Sequence, residues 1–127
     1  MQILGCEVAS WRLIATSVLA ATASSAALAE GPGKYAISGT NVRDKSEYHG
    51  IATLTQIGPM TWQVVEEVGN DTLEGFGVGD GKTIAVSFTT DSATVVALYI
   101  AGPDGSYAGT WAGEGDKEVS TETLTPQ

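Results

Sequence analysis

Turn signals recur at near-constant intervals along most of this chain, and this regularity limits the possible folds more than any other feature. Runs rich in Val, Ile, Thr, Tyr and Trp separate seven short clusters of turn-forming residues. The clusters are "RDKS" at 43–46, "GP" at 58–59, "GND" at 69–71, "GDGK" at 79–82, "TTDS" at 89–92, "GPDG" at 102–105 and "GEGD" at 113–116. Strands repeating at about 8–12 residues predict an all-β barrel or sandwich.

Seven turns predict eight strands, from about Tyr35 to Leu124. The connections are too short for long crossovers, so each strand should pair antiparallel with the next in an up-and-down meander. Closing the meander into a small barrel would remove both exposed sheet edges. The sequence therefore favours an eight-stranded antiparallel barrel, with an open β-sandwich as the alternative.

Two hairpins predict which residues face inward. A two-residue type I′ turn at 80–81 would pair Gly77 with Ile84 and Gly75 with Val86. Bulky neighbours can lie across strands that lack side chains, so this glycine-lined face should be the interior. The bulky residues predicted on it are Leu73, Ile84, Val86 and Phe88.

The second hairpin, "YIAGPDGSYAGTW" at 99–111, has Pro103 and Gly105 at positions that suit a three-residue bulged turn. This turn would place Tyr99 opposite Gly109, where the ring can cover the glycine. The residues predicted to be buried are Trp62, Ile84, Val86, Phe88, Tyr99, Tyr107 and Trp111. Val96, Leu98 and Ile100 would then point outward. A row of outward aliphatic side chains is unusual on a soluble monomer, so we expect a symmetric homodimer through these three residues.

The first 29 residues are predicted to be a cleaved signal peptide, followed by a single barrel domain over residues 30–127. Arg12 precedes an apolar, small-residue run that ends in "ALA" at 27–29, the residue pattern of a cleavage site. Export to the periplasm or beyond is therefore expected. Cys6 is the only cysteine and would leave with the signal peptide, so the mature domain should contain no disulfide.

The net charge and the types of residue present narrow the functions that this chain could have. A formal net charge of −9 argues against nucleic acid or anionic lipid as partners. His49 is the only histidine, so a histidine-based metal site or a full Ser-His-Asp triad lacks parts. Glu66 and Glu67 are adjacent on a predicted strand, so one of them could face the interior, as could Glu74 if the faces are reversed. We expect no catalytic residues, metal or cofactor.

Several segments, including "YAISGTN" at 35–41, "EGFGVGDGKTIAVSF" at 74–88 and "GSYAGTW" at 105–111, resemble a group of small exported bacterial proteins. Most of that group is uncharacterised, and some members carry a fibronectin-binding label. The glycine-aromatic hairpins are more distantly similar to avidin- and lipocalin-type (calycin-like) barrels. Lipocalins place their G-x-W on the first strand, whereas Gly109 and Trp111 fall on the seventh. The resemblance implies a fold rather than a set of ligand contacts.

Two functions are compatible with these observations. The first is a non-enzymatic binding module that holds a small apolar or aromatic ligand in the barrel mouth. The residues predicted to line it are Tyr35, Tyr48, Trp62, Tyr99, Tyr107 and Trp111. The second is a protein-interaction domain with a solid core, for example for an extracellular protein. An integral membrane protein is not expected, because the one apolar run is short and interrupted by Thr and Ser.

Overall fold

A computed structural model of the chain describes residues 30–127, and the predicted signal peptide at 1–29 lies outside them. The described part consists of strands and loops, so it contains no helix that could span a membrane. The strands are β1 Gly33–Thr40, β2 Glu47–Gly58, β3 Thr61–Val68, β4 Asp71–Gly79, β5 Thr83–Thr89, β6 Thr94–Ala101, β7 Tyr107–Gly113 and β8 Ser120–Pro126.

The eight strands close into one antiparallel barrel. Each strand pairs with the next in the chain, and β8 returns to pair with β1, where Ile37 lies opposite Leu124. The predicted up-and-down barrel is confirmed, and the open sandwich is not formed. All seven predicted turn clusters fall at strand connections. Closure leaves the sheet without a free edge, which suits a small domain.

Alternation along the strands separates the core from the surface. On β5, Ile84, Val86 and Phe88 are buried, and the residues between them are exposed. The glycine face of β4 lies against these side chains: a Cβ added to Gly75 would lie 2.7 Å from the Phe88 ring. The predicted interior face is therefore confirmed, and the glycines leave the room that the bulky neighbours occupy.

The register of the β4–β5 hairpin differs from the prediction by two residues, because Gly77 pairs with Val86 and not with Ile84. The predicted two-residue turn is wrong. The connection is longer, since the Asp80 carboxylate accepts the backbone N–H of Lys82 at 2.9 Å and holds a wider turn. A shift of two residues leaves every side chain on its predicted face, because strand side chains alternate with a period of two.

The β6–β7 hairpin forms as predicted. Tyr99 pairs with Gly109, and the Gly102 N–H donates to the Ser106 carbonyl at 2.8 Å across the turn. Gly105 has φ +85°, the left-handed conformation that the bulged turn requires. A Cβ added to Gly109 would lie 2.7 Å from the Tyr99 ring, so the ring covers the glycine.

The two ends of the barrel differ. One end, here called the closed end, is filled by Trp62, Tyr35 and Tyr107, each 1% exposed or less. The Tyr107 hydroxyl accepts the Gly31 N–H at 2.8 Å and donates to the Gly81 carbonyl, while the Tyr35 hydroxyl donates to the Gly31 carbonyl. The segment before β1 is thus tied across the closed end by hydrogen bonds to Tyr35 and Tyr107.

Candidate ligand-binding site

The end of the barrel opposite the closed end contains a cavity of about 280 Å³. It is lined by Asn41, Tyr48, Glu66, Val68, Asp71, Leu73, Phe88, Val95, Tyr99, Trp111 and Glu122. A cavity of about 150 Å³ in another protein takes up benzene, so this one has room for a ring and a short chain. Most of the lining is apolar or aromatic, and only a few polar groups converge in it.

Three of the six aromatic residues predicted to line a pocket do line this cavity, and three do not. Those in the cavity are Tyr48, Tyr99 and Trp111, and those packed at the closed end are Tyr35, Trp62 and Tyr107. All six side chains lie inside the barrel or at its mouth. The alternation of side chains along a strand predicts which face a residue is on, but not its position along the barrel axis. That position separates the aromatic residues of the cavity from those of the closed end. Trp111 was expected to be buried but is half-buried, because it stands in the cavity wall.

Two glutamate side chains lie at the base of the cavity. Glu66 on β3 is 6% exposed, and Glu122 on β8 is 5% exposed. Toward the closed end, the next inward-pointing residue after Glu66 on β3 is Val64, and the next after Glu122 on β8 is Leu124. Both belong to the hydrophobic core. The carboxyl groups thus occupy positions where two more apolar side chains would complete the core, and burying them costs free energy unless they are hydrogen-bonded.

Hydrogen bonds join five side chains from five strands into what we call the carboxyl network: Tyr48, Glu66, Tyr99, Trp111 and Glu122. The Tyr99 hydroxyl oxygen lies 2.7 Å from Glu66 Oε2 and 2.6 Å from Glu122 Oε2. Tyr48 donates its hydroxyl proton to Glu122 Oε1 at 2.7 Å, and Trp111 Nε1–H donates to the Tyr48 oxygen, also at 2.7 Å. Glu122 therefore lies within hydrogen-bond distance of two phenols.

The Tyr99 hydroxyl lies between the two carboxyl groups, and this position limits which hydrogen bonds can form together. A phenol carries one proton, so Tyr99 can donate to only one of its two carboxyl neighbours. Burial, with the nearby Glu122 charge adding to it, raises the pKa of Glu66 to about 8. When Glu66 keeps its proton, it can donate to the Tyr99 oxygen while Tyr99 donates to Glu122. Burial and the two carboxyl groups also raise the pKa of Tyr99, so this phenol stays protonated.

Glycines opposite the tyrosines make the network possible. Gly109 lies beneath the Tyr99 ring, and Gly39, paired with Tyr48, lies beneath the Tyr48 ring. A side chain at either glycine would overlap the ring and displace its hydroxyl from Glu122. Tyr48 and Trp111 meet edge to face with ring centroids 6.4 Å apart, which adds an aromatic wall above the carboxyl groups.

Comparison with known proteins gives no relative from which a function could be transferred. No model of a protein family matches the chain, and no curated protein shows significant sequence similarity to it. The functional argument therefore depends on the chemistry of the cavity.

The glutamates of the network are only partly evident from sequence. The choice between Glu66 and Glu67 was left open, and the structure places Glu66 inside and Glu67 outside. Glu74 is on the outer face, as the predicted faces require. Glu122 was missed, although a signal exists: it shares the parity of Leu124 in the alternating run at 120–125, so an inward Leu124 implies an inward Glu122.

The outer surface of β6 carries the apolar row predicted from its sequence. Val96, Leu98 and Ile100 are 56%, 40% and 51% exposed. Phe76 and Val78 on the nearby strand β4 are also exposed. We call these five side chains the outer apolar face. The outward orientation of Val96, Leu98 and Ile100 agrees with the prediction.

Proposed function

We propose that this chain is a non-enzymatic binding module that holds a small apolar or aromatic ligand in the open end of its barrel. The observation that carries the proposal is the cavity of about 280 Å³, which is bounded by aromatic and aliphatic side chains and has the carboxyl network at its base. Pockets for small molecules typically combine such apolar walls with a few convergent polar groups.

The alternative, an interaction domain with a solid core, is less well supported. A barrel of eight strands can fill its interior with its own side chains. This barrel does so at the closed end, around Trp62 and Tyr107, but not around Glu66 and Glu122. Space beside buried polar groups is a feature that a solid structural core does not need.

Binding is favoured over catalysis by the lining residues. A carboxyl group with a raised pKa, such as Glu66, also occurs in active sites as a general acid. Among residues 30–127, however, no serine, threonine, cysteine, histidine or lysine lines the cavity. The hydroxyls of Tyr48 and Tyr99 are engaged with carboxyl groups. The groups present can orient a ligand, and we propose no reaction for them.

Export is part of the same proposal. The tripartite pattern of residues 1–29 supports delivery of the domain to the periplasm or the medium. Residues 30–127 contain no cysteine, so the domain is stabilised by packing and hydrogen bonds and not by a disulfide. A binding module in that compartment would meet small molecules from outside the cell.

Native mass spectrometry of the protein purified from its own host tests the binding proposal. We expect a second species, heavier by the mass of a retained small molecule. Val95 lines the cavity and its neighbour Val96 points outward, so Val95→Trp should abolish the heavier species and Val96→Trp should retain it. No heavier species, or one retained equally by both variants, would contradict a ligand in the cavity.

We further propose that the outer apolar face mediates self-association. Leu98 lies at its centre, next to Thr110 on β7 and Ala85 on β5, both small and uncharged. Exposed apolar side chains grouped on one face of a domain are typical of an interface between subunits. The symmetric homodimer expected from the sequence is the simplest assembly that would cover it.

A further inference from the structure

We propose that the cavity selects an organic cation, in which an ammonium group contacts Glu66 and Glu122 and a compact aromatic or aliphatic body fills the space above them. This inference rests on the proposed binding function, because it names the class of ligand that the cavity would hold. Within residues 30–127, no basic side chain lines the cavity beside these two carboxyl groups.

The glutamate pair has no cationic partner in residues 30–127. All lysine and arginine side chains there, and His49, are exposed. The ion pairs in this part of the chain are Arg43 with Asp116, in loops at the open end, and Lys82 with Glu30, and none of these four residues lines the cavity. Phenols hydrogen-bond both carboxyl groups, but no basic side chain of residues 30–127 is placed to balance a negative charge on them. A buried charge without a counter-charge is costly, and a ligand can supply what the chain does not.

The charge of the ligand follows from this imbalance. An anionic ligand would be repelled by the pair, and a neutral hydrogen-bond donor would leave the charge unbalanced. An ammonium group carries three donors and one positive charge. It can displace the proton of Glu66 into solvent, after which both carboxylates accept hydrogen bonds from the same nitrogen. The positive charge of the ammonium thus takes the place of the proton that Glu66 releases.

The walls of the cavity suit the rest of such a molecule. The rings of Tyr48, Trp111 and Phe88 surround the space above the carboxyl groups. Aromatic faces attract cations, most strongly when the cation is desolvated. Leu73 and Val95 complete the lining with aliphatic surface that would contact an apolar body. The arrangement places charge recognition at the base and apolar recognition at the sides.

Three probes with the same phenyl body separate the contribution of charge from that of shape. They are 2-phenylethylamine, a cation at pH 7; 2-phenylethanol, its neutral analogue; and 3-phenylpropanoate, an anion. In calorimetric titrations at pH 7, we expect the amine to bind about ten- to thirtyfold more tightly than the alcohol, and the anion most weakly. Glu66→Gln combined with Glu122→Gln should remove the advantage of the amine and preserve binding of the alcohol. Glu67→Gln, next to Glu66 but on the outer face, is the matched control and should bind like the wild type.

A pH series adds an independent reading. The titratable groups that face Glu66 are Tyr48 from β2, Tyr99 from β6, Glu122 from β8 and Asp71 at the rim on β4. In the proposal, Glu66 is the group that releases a proton when the ammonium binds, and its four neighbours keep their protonation states. Affinity for the amine should therefore rise between pH 6 and pH 8, by up to about tenfold per pH unit, and affinity for the alcohol should stay constant. The single variant Glu66→Gln should remove this pH dependence.

The outcomes separate the inference from the proposed function. If amine and alcohol bind equally, or the anion binds best, the cation proposal is wrong and the cavity remains a binding site. If affinity for the amine does not change with pH in the wild type, the displaced proton and the proposal built on it are wrong. If none of the three probes binds and no ligand is retained from the host, the proposed binding function itself fails.

Discussion

Replacing Glu66 with glutamine should make the barrel less sensitive to alkaline pH. In the wild type, Glu66 is buried, and its protonated form donates to the Tyr99 oxygen. Above neutral pH the folded protein must either keep that proton or bury a second negative charge beside Glu122. The glutamine amide can donate the same hydrogen bond without ionising, so the variant has no such requirement.

The size of this pH effect on the free energy of unfolding follows from the pKa of Glu66. Burial raises that pKa from 4.5 to about 8. A group whose pKa is higher in the folded state stabilises that state fully at pH values below its unfolded-state pKa. This stability is lost as the pH rises through its folded-state pKa. From pH 5 to pH 9 the wild type should therefore lose roughly 3–5 kcal/mol in the free energy of unfolding through this group. Glu66→Gln should not show this loss.

The assay is urea unfolding followed by tryptophan fluorescence at pH 5, 7 and 9. Glu67→Gln is the control, because it makes the same chemical change at the adjacent residue of β3, whose side chain is exposed on the outer face. Subtracting the control accounts for general repulsion in an acidic protein. The reasoning is refuted if Glu66→Gln loses as much stability as the wild type between pH 5 and pH 9, or if Glu67→Gln flattens the profile to the same extent.

Three further predictions concern other parts of the chain. Leu98→Lys should convert a dimer into a folded monomer by light scattering; a wild type that is already monomeric would disprove the interface. Gly109→Ala should cost about 1–3 kcal/mol in urea unfolding, because the new methyl group would overlap the Tyr99 ring; an unchanged midpoint would show that the ring is free to move. The mass of the exported protein should correspond to cleavage after Ala29, and a retained N terminus would contradict the predicted signal peptide.

The fold could be predicted from the sequence because its signals are local. Turn residues mark the connections, and alternation such as that of Ile84, Val86 and Phe88 marks the inner face. The β4–β5 register was missed by two residues because the Asp80 side chain lengthens the turn, and dipeptide preferences alone do not contain that hydrogen bond. The faces were still right, since a shift of two preserves parity.

The candidate site could be predicted only in part, because it depends on contacts between distant strands. Tyr48, Tyr99 and Trp111 were among the expected lining residues, but parity does not distinguish the mouth of the barrel from its closed end, where Tyr35 and Trp62 pack. The meeting of the two glutamates depends on strand stagger around the whole barrel. No local pattern shows that Tyr99 will touch residues 33 and 23 positions away.

The most direct test of a ligand site in the open end is to observe separately the two tryptophans of residues 30–127, Trp111 and Trp62. Trp111 Nε1–H donates to Tyr48 in the cavity, whereas Trp62 Nε1–H donates to the Gly79 carbonyl at the closed end. Nitrogen-15 spectra of the chain, with the signal assigned by Trp111→Phe, should show the Trp111 indole resonance move as 2-phenylethylamine is added and the Trp62 resonance stay in place. If both resonances stay in place, or both move equally, the cavity between Tyr48 and Glu66 is not the binding site.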